Sequence, residues 1–150
     1  MKLRFMTEND IIEVTNIFIN VYAESPWNEK WSYDNAFRRI KDLFNITNNV
    51  SVVCIVDNKI VGAIIAILIP WLTGYQLEVR EFFIIKNLQD KGIGSAMLNQ
   101  LSSYCNTNKE VEIVLYTKRD SRLQYFYEKN GFQAKDDTIY YSKVINKRGL

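Results

Sequence analysis

The sequence predicts a mixed α/β (α+β) fold, in which a mostly antiparallel sheet of about seven strands is flanked by four helices. The chain has 150 residues, a length that suits one domain over residues 1–150. Apolar residues recur at helical spacing in four segments, whereas β-branched, strand-like runs fill much of the remainder. No internal repeat and no linker-like segment divides the sequence. We therefore expect a single domain.

The first third of the chain predicts one strand and two helices. A short strand over Leu3–Phe5 is followed by apolar residues at helical spacing from Ile11 to Val21. Pro26 interrupts this pattern. Ser32 can then cap a second helix, whose apolar face extends from Ala36 to Phe44.

The middle of the chain predicts three strands. Ser51–Val56 and Lys59–Ile69 are apolar, β-branched runs. Asp57-Asn58 separates them, and both residue types tolerate the positive φ of a tight hairpin turn. Tyr75–Ile85 follows as a long third strand.

The last third predicts two helices and three further strands. One helix opens at Gly92 and is followed by a strand over Val111–Tyr116. A second helix spans Arg122–Asn130 and ends before a glycine that suits the C′ position. Phe132–Lys135 and Thr138–Val144 are expected to form a final antiparallel pair.

Composition excludes several function classes. The chain has no histidine, which excludes a Ser-His-Asp triad, a Cys-His pair and a His-ligated zinc site. The net charge of +2 is too small to indicate a nucleic-acid partner. Cys54 and Cys105 lack metal-binding spacing and are interpreted as small buried hydrophobic residues, so no metal is predicted. The N-terminus does not read as a signal peptide and no apolar run is long enough to cross a bilayer, so we expect a cytoplasmic protein without a membrane partner.

The most informative segment is a glycine-containing loop between a strand and a helix. It reads Gln89-Asp90-Lys91-Gly92-Ile93-Gly94-Ser95. Exposed backbone N–H groups and the helix dipole make such a loop an anion site that suits a pyrophosphate. The P-loop signature is absent, and Met97 stands where a dinucleotide-binding turn needs a small residue. A helix start without a ligand stays open as the alternative.

Two motifs follow one another along the chain. One is the Gln89-x-x-Gly92-x-Gly94 loop after the strand segment Glu81–Ile84, and the other is Phe126–Phe132, which contains Tyr127. With both motifs, the chain resembles the GNAT superfamily of acetyl-CoA-dependent N-acetyltransferases. The order of elements matches from Leu3 to about Val144. The resemblance implies acetyl-CoA as co-substrate, with its pyrophosphate held by the loop from Gln89 to Ser95. It also implies that the pantetheine arm pairs with the backbone of three residues, Phe83, Ile84 and Ile85.

Acetyl transfer from a thioester to an amine needs a base, and without histidine the base must be a carboxylate, directly or through water. Glu81 is the first candidate and Glu78 the second. Strand alternation places Glu81 among apolar side chains unless a bulge alters the count; these are Leu77, Val79, Phe83 and Ile85. Burial would raise the pKa of Glu81, as a base acting near neutral pH requires. An ion pair or a solvated position stays open as the alternative.

Tyr127 matches the tyrosine that commonly lies near the coenzyme A sulfur in the resembled family, and it can protonate the departing thiolate. The alternative is an aromatic core contact beside Phe126 and Phe132. A backbone N–H near Phe83 or Ile84 is expected to meet the oxyanion. Since no nucleophile for a covalent intermediate is visible, we expect direct transfer in a ternary complex.

The acceptor pocket is predicted between the segment that joins the first two helices and the loop before the long strand. Carboxylates and aromatic rings concentrated there suit a cationic amine. These residues are Glu24, Trp27, Glu29, Trp31, Trp71, Tyr75 and Glu78. Simple packing of the tryptophans stays open as the alternative.

The sequence therefore predicts an N-acetyltransferase that moves an acetyl group from acetyl-CoA to a primary amine of a small molecule. A protein or peptide N-acetyltransferase and a catalytically silent acyl-CoA-binding module stay open as alternatives. Dimers are common in the resembled family, and the predicted end strand around Tyr140-Tyr141 is a candidate surface for a homodimer.

Overall fold

The computed structural model describes residues 1–105 and 108–146 and contains a mixed sheet with four α-helices. The strands are β1 (Lys2–Phe5), β2 (Asn49–Val56), β3 (Lys59–Pro70), β4 (Gly74–Ile84) and β5 (Glu110–Val114). The helices are α1 (Ile11–Tyr22), α2 (Tyr33–Phe44), α3 (Ile93–Tyr104) and α4 (Ser121–Lys129). Strand order follows the chain, and all neighbours are antiparallel except the parallel pair β4–β5. The predicted fold class is confirmed.

The predicted strand count is wrong: the described residues form five strands and not seven. Phe132–Lys135 and Thr138–Val144 do not form the expected pair. Ile139 and Tyr141 within the second segment are exposed. An extended segment becomes a strand only when a neighbour pairs with its backbone and covers its apolar face.

Local signals in the sequence identified several element boundaries. Asp57 and Asn58 adopt positive φ angles of 51° and 61° in the hairpin between β2 and β3. The Ser32 hydroxyl accepts a hydrogen bond from the Asn35 N–H at 3.1 Å and caps α2. Gly131 follows the C-cap of α4, as predicted.

The chain separates into two compact units. The first, Met1–Lys118, contains the sheet and the first three helices, and the second begins at Arg119 and contains α4. In the first unit a continuous core lies between α1, α2 and one face of the sheet; its members include Val14, Phe18, Ile40, Ala63, Ile65 and Phe83. Helix α3 packs against β2. The single domain stays a prediction.

A bulge interrupts the pairing between β3 and β4. Ile65 pairs with Glu81 and the next residue, Ala66, pairs with Val79, so that Arg80 is an extra residue on β4. Because adjacent residues of β3 face opposite sides of the sheet, their partners on β4 do so as well. Glu81 and Val79 therefore lie on opposite faces.

Because of the bulge, the predicted surroundings of Glu81, the candidate base, are partly wrong. Alternation along β4 is interrupted at Arg80. Leu77 and Val79 therefore do not share a face with Glu81, whereas Phe83 does. The same register brings Glu78 onto the face of Glu81. Both carboxylates thus lie on the side of the sheet that α1 and α2 cover.

The parallel strand β5 accompanies β4 for only part of its length. The pairing extends from Gly74 to Glu78, whereas β4 continues to Ile84 with β3 as its partner. The outer edge of β4 is therefore not covered by β5 beyond Glu78. Within the ranges that the structure describes, no helix is long and apolar enough to cross a membrane.

Candidate active site

The end of β4 directs alternate backbone groups to its outer edge. The Ile85 N–H donates to the Val61 carbonyl at 2.9 Å. Since bonding direction alternates along an antiparallel strand, Phe83 and Ile85 point their backbone groups towards β3 and Ile84 points its own outward. The Ile84 carbonyl accepts a hydrogen bond from the Gln89 side chain at 2.9 Å. Of the three residues predicted to pair with pantetheine, only Ile84 has its backbone groups at the outer edge of β4, and the pairing itself stays a prediction.

The glycine-containing loop opens α3, as the sequence predicts. Gly92 is the N-cap and adopts a φ of 80°, a conformation that glycine accepts without strain. The N–H groups of Ile93, Gly94 and Ser95 point out of the N-terminal end, as at any helix start, and Gly92 has no side chain to cap them. Asp90 also has a positive φ, of 61°, while Lys91 is exposed. The loop therefore combines backbone donors, a helix dipole and a cation.

Glu81 is both a buried carboxylate and one partner of an ion pair. Its side chain is 7% exposed, and its Oε1 accepts a hydrogen bond from Arg39 Nε at 2.6 Å. Burial raises the pKa of Glu81, while Arg39 and a hydrogen bond from Tyr22 partly oppose the rise, and the charge of Glu29 adds to it. The ion pair considered as the alternative is therefore present, and the role of Glu81 as a base stays a prediction.

Arg39 connects Glu81 to the segment before α2. Its guanidinium carbon lies 5.8 Å from the centroid of the Trp31 ring. The Trp31 indole N–H in turn donates to Glu29 Oε1 at 2.9 Å. A cleft of about 280 Å³ lies beside this cluster; its lining residues are Glu29, Lys30, Trp31, Ser32 and Asn35. Two predicted acceptor residues, Glu29 and Trp31, are thus brought to Glu81 through Arg39.

Two further predicted acceptor residues lie in the same connection between α1 and α2. The Trp27 ring packs edge-on against Tyr22, with 5.2 Å between centroids. Lys118 Nζ lies 5.9 Å from the Trp27 ring centroid and donates to the Trp27 carbonyl at 3.3 Å. The Glu24 carboxylate pairs with Lys86 Nζ at 3.5 Å. Trp27 therefore packs in the way considered as the alternative, and Glu24 takes part in an ion pair.

Trp71 and Tyr75 lie at the opposite end of β4. They line a second cleft of about 200 Å³, together with Glu110 and Glu112. Six positions along the strand separate Tyr75 from Glu81, which corresponds to roughly 20 Å. The structure therefore does not bring these two aromatic residues to the candidate base. Glu78, between them, is half-buried.

Tyr127 belongs to the second unit and is half-buried in α4. Its ring centroid lies 5.1 Å from that of Phe126 and 5.5 Å from that of Phe132, so the aromatic contacts considered as the alternative are present. Burial raises the pKa of Tyr127 to about 12. The phenol therefore holds its proton at neutral pH.

Both cysteines are free thiols. Cys54 is fully buried and Cys105 is half-buried, and burial raises the pKa of each thiol. A raised pKa makes a thiol a weak nucleophile at neutral pH. In the part of the chain that the structure describes, no three acidic or thiol side chains come together as a cation site.

Sequence reasoning missed Arg39, although a signal was available. The residue follows the buried Ala36 by three positions and precedes the buried Ile40 by one, so it borders the core face of α2. A charged side chain at such a border needs an oppositely charged partner. The partner, Glu81, lies 42 residues further along the chain and is not identifiable by local spacing.

Comparison with known proteins adds a family match. A model of an acetyltransferase (GNAT) domain matches residues 47–134, which is more than half of the chain. A search of curated proteins gives no significant match.

Solved structures resemble the whole chain. A possible acetyltransferase from Clostridium difficile has a TM-score of 0.81 at 20% identity, covering 97% of this chain and 98% of that one. An aminoglycoside acetyltransferase from an uncultured soil metagenomic sample, in complex with sisomicin, has a TM-score of 0.74 at 16% identity, covering 97% and 96%. AAC(6')-Iy in complex with a coenzyme A bisubstrate analogue has a TM-score of 0.71 at 12% identity, covering 96% and 98%. At these identities the likeness shows a shared fold.

Proposed function

The chain belongs to the GNAT acetyltransferase superfamily and is an acyltransferase, and from that premise we propose that it moves an acetyl group directly from acetyl-CoA to a primary amine of a small molecule. One observation carries the proposal. The outer edge of β4 beyond Glu78 ends at the loop that opens α3, and the buried carboxylate of Glu81 lies three residues before this end. A coenzyme site and a base can therefore share one strand.

The coenzyme binds along this edge in two parts. The outward N–H of Ile84 donates to a carbonyl of the pantetheine arm, which lies along β4 as a pseudo-strand, while the Ile84 carbonyl accepts from the Gln89 side chain. The N–H groups of Ile93, Gly94 and Ser95 bind the pyrophosphate, and Lys91 adds a positive charge. The hydrogen bond between Gln89 and Ile84 supports this arrangement because it fixes the loop to the strand.

The reaction forms one C–N bond and breaks one C–S bond. The neutral amine attacks the thioester carbonyl carbon, and the resulting oxyanion accepts a hydrogen bond from a backbone N–H at the outer edge of β4; the Phe83 N–H is directed towards β3. The amine gives one proton to Glu81, directly or through water. Collapse of the intermediate then expels the thiolate of coenzyme A with the bonding electron pair, and the thiolate takes up one proton.

Tyr127 serves the departing thiolate as a hydrogen-bond donor. A thiol with a pKa of about 8.5 is a stronger acid than this phenol, so complete proton transfer from Tyr127 is uphill. Donation of a hydrogen bond needs only the neutral phenol, which the raised pKa of Tyr127 preserves.

A silent acyl-CoA-binding module is the second candidate function, and one observation favours it. The carboxylate of Glu81 is already paired with Arg39, and a paired carboxylate is a weaker proton acceptor. In that function the coenzyme loop is retained while turnover is absent. A peptide acceptor instead of a small molecule would leave the chemistry at Glu81 unchanged.

Release of coenzyme A thiol from acetyl-CoA, measured with a panel of amines, tests the proposal. We expect amine-dependent release, and Glu81→Gln should lower kcat by about 10²–10⁴-fold because the base is lost. Glu78→Gln tests the second candidate base on the same face. Asp42→Asn makes the same change of charge at an exposed position of α2 and should leave the rate unchanged.

The pH dependence provides a separate readout. Because the pKa of Glu81 is raised, the rate should increase with pH until the carboxyl group is deprotonated, and this limb should vanish in Glu81→Gln. Binding of acetyl-CoA without thiol release by any amine would support the silent module. Full rates in both Glu81→Gln and Tyr127→Phe would refute the mechanism.

A further inference from the structure

The guanidinium of Arg39 is only partly used by the protein. Its Nε binds Glu81, whereas Nη1 and Nη2 have no hydrogen-bond partner among the residues that the structure describes. The side chain is 39% exposed, so these donors are accessible. Arginine presents its Nη donors as a planar fork that matches the two oxygens of a carboxylate.

Three of the four carboxylates in this region have a hydrogen-bond or ion-pair partner, and the fourth is the half-buried Glu78. Glu81 accepts from Arg39, Glu29 accepts from the Trp31 indole, and Glu24 pairs with Lys86. Basic side chains are as numerous as carboxylates in this region. They are Lys30, Arg39, Lys86 and Lys118. This region is therefore not an acidic pocket of the kind that a polycationic amine needs.

The surface beside Arg39 has the size and composition for a small zwitterion. Asn35 and Arg39 are one helical turn apart and share a face of α2, and Asn35 lines the cleft of about 280 Å³. Trp31, which also lines the cleft, lies against the guanidinium. Arg39 does not itself line the cleft but adjoins it through these two residues.

We infer that the acceptor is an amine that also carries a carboxylate, and that Arg39 binds this carboxylate through Nη1 and Nη2. The inference rests on the proposed function and narrows its substrate class to amino-acid-like molecules. Nε and the Nη groups belong to one planar group, so a carboxylate bound at the fork lies beside Glu81. An amine one carbon away from that carboxylate is then close to the candidate base.

Matched pairs of amines test the inference with the full-length protein. The panel contains the common α-amino acids with a primary amine, the decarboxylated amine that corresponds to each (for example 1,5-diaminopentane for lysine and 2-phenylethylamine for phenylalanine), and sisomicin as a polycation. At least one amino acid should have a kcat/KM about 10–100-fold above that of its carboxylate-free counterpart, as a charge-assisted pair implies. Sisomicin should react no better than the carboxylate-free amines.

Variants of α2 locate the effect. Arg39→Met should remove the advantage in kcat/KM of the preferred amino acid over its carboxylate-free counterpart. Loss of the ion pair with Glu81 affects the base for both amines and therefore cancels in this ratio. Arg39→Lys keeps a cation against Glu81, and so supports the fold if the methionine variant is unstable, and should retain only part of the preference. Arg38→Met removes a neighbouring, exposed arginine that pairs with Asp34 and should change nothing.

The outcomes distinguish failure of the inference about Arg39 from failure of the proposed function. Preference for the carboxylate-free amines or for sisomicin, with thiol release intact, would overturn the inference and leave the proposed function standing. Binding of acetyl-CoA without turnover of any amine would overturn both. An amino-acid preference that survives Arg39→Met at normal thermal stability would likewise exclude Arg39 as the carboxylate-binding group.

Discussion

Two buried carboxylates, each paired with an arginine, have pKa values that are shifted in opposite directions. Asp10 accepts from Arg4 through both oxygens, at 2.7 and 3.0 Å, and from the Thr7 N–H at 2.7 Å. These bonds, chiefly those to Arg4, outweigh burial and lower the pKa of Asp10. Glu81 accepts hydrogen bonds from Arg39 and Tyr22, and burial outweighs them. The balance between burial and the donors therefore decides the direction of the pKa shift, and sequence alone does not reveal this balance.

Asp10→Asn should lower the free energy of unfolding at neutral pH by about 2 kcal/mol, because charge-assisted bonds that join β1 to the start of α1 are lost. The lowered pKa of Asp10 contributes stability above its unfolded-state pKa, near 4, which is lost as pH falls towards the folded-state value. Denaturant unfolding at pH 7 and pH 3 should show a smaller difference between variant and wild type at the acidic pH.

The exposed pair between Asp34 and Arg38 on α2 is the matched control. Its atoms are 3.9 Å apart and both side chains are largely exposed, so Asp34→Asn should change stability by less than about 0.5 kcal/mol. An equal loss in the two variants would contradict the importance given to the Asp10 cluster.

At the scale of elements, the sequence predicts features that depend on neighbouring residues. It does not predict features that depend on which strands pair. The Ser32 cap, the Asp57-Asn58 hairpin and the opening of α3 at Gly92 follow from residue types at the element itself. The parity of β4 and the absence of strands after α4 depend on which neighbour pairs with each backbone. Such pairing is set by residues far away in sequence, as the bulge at Arg80 illustrates.

Gly74→Ala tests how closely β4 and β5 approach each other. A Cβ at this position would lie 2.0 Å from the Glu110 carbonyl oxygen, a backbone atom that cannot move without displacing β5. We expect a loss of about 2–3 kcal/mol in the free energy of unfolding. Thermal unfolding measures it, with Leu72→Ala as the control, because Leu72 is 89% exposed. An unchanged stability in Gly74→Ala would show that the two strands can separate at little cost.

At the scale of the whole molecule, ligand binding and folding are linked. If acetyl-CoA binds only the folded chain, a concentration about 100 times Kd stabilises it by about 2.7 kcal/mol. For a chain of this length the increase in Tm should be roughly 5–10 °C. A thermal scan with and without acetyl-CoA measures this, with no need to know the acceptor.

Ser95→Asp should abolish that increase in Tm without weakening the unliganded protein. An added carboxylate in the first turn of α3 repels a pyrophosphate but interacts favourably with the helix dipole. Asn99→Asp adds the same charge at an exposed position of the same helix and should retain the increase. Equal shifts in both variants would place the pyrophosphate elsewhere.

The extra residue in β4 determines which face of the sheet each of its two acidic residues, Glu78 and Glu81, occupies. If every residue through Arg80 were paired, Glu78 and Glu81 would be separated by an odd number of steps and would face opposite layers of helices. Substitutions along the strand leave this count unaltered. A one-residue insertion or deletion reverses it, so among related chains a difference in strand length is a stronger sign of altered chemistry than a difference in side chains.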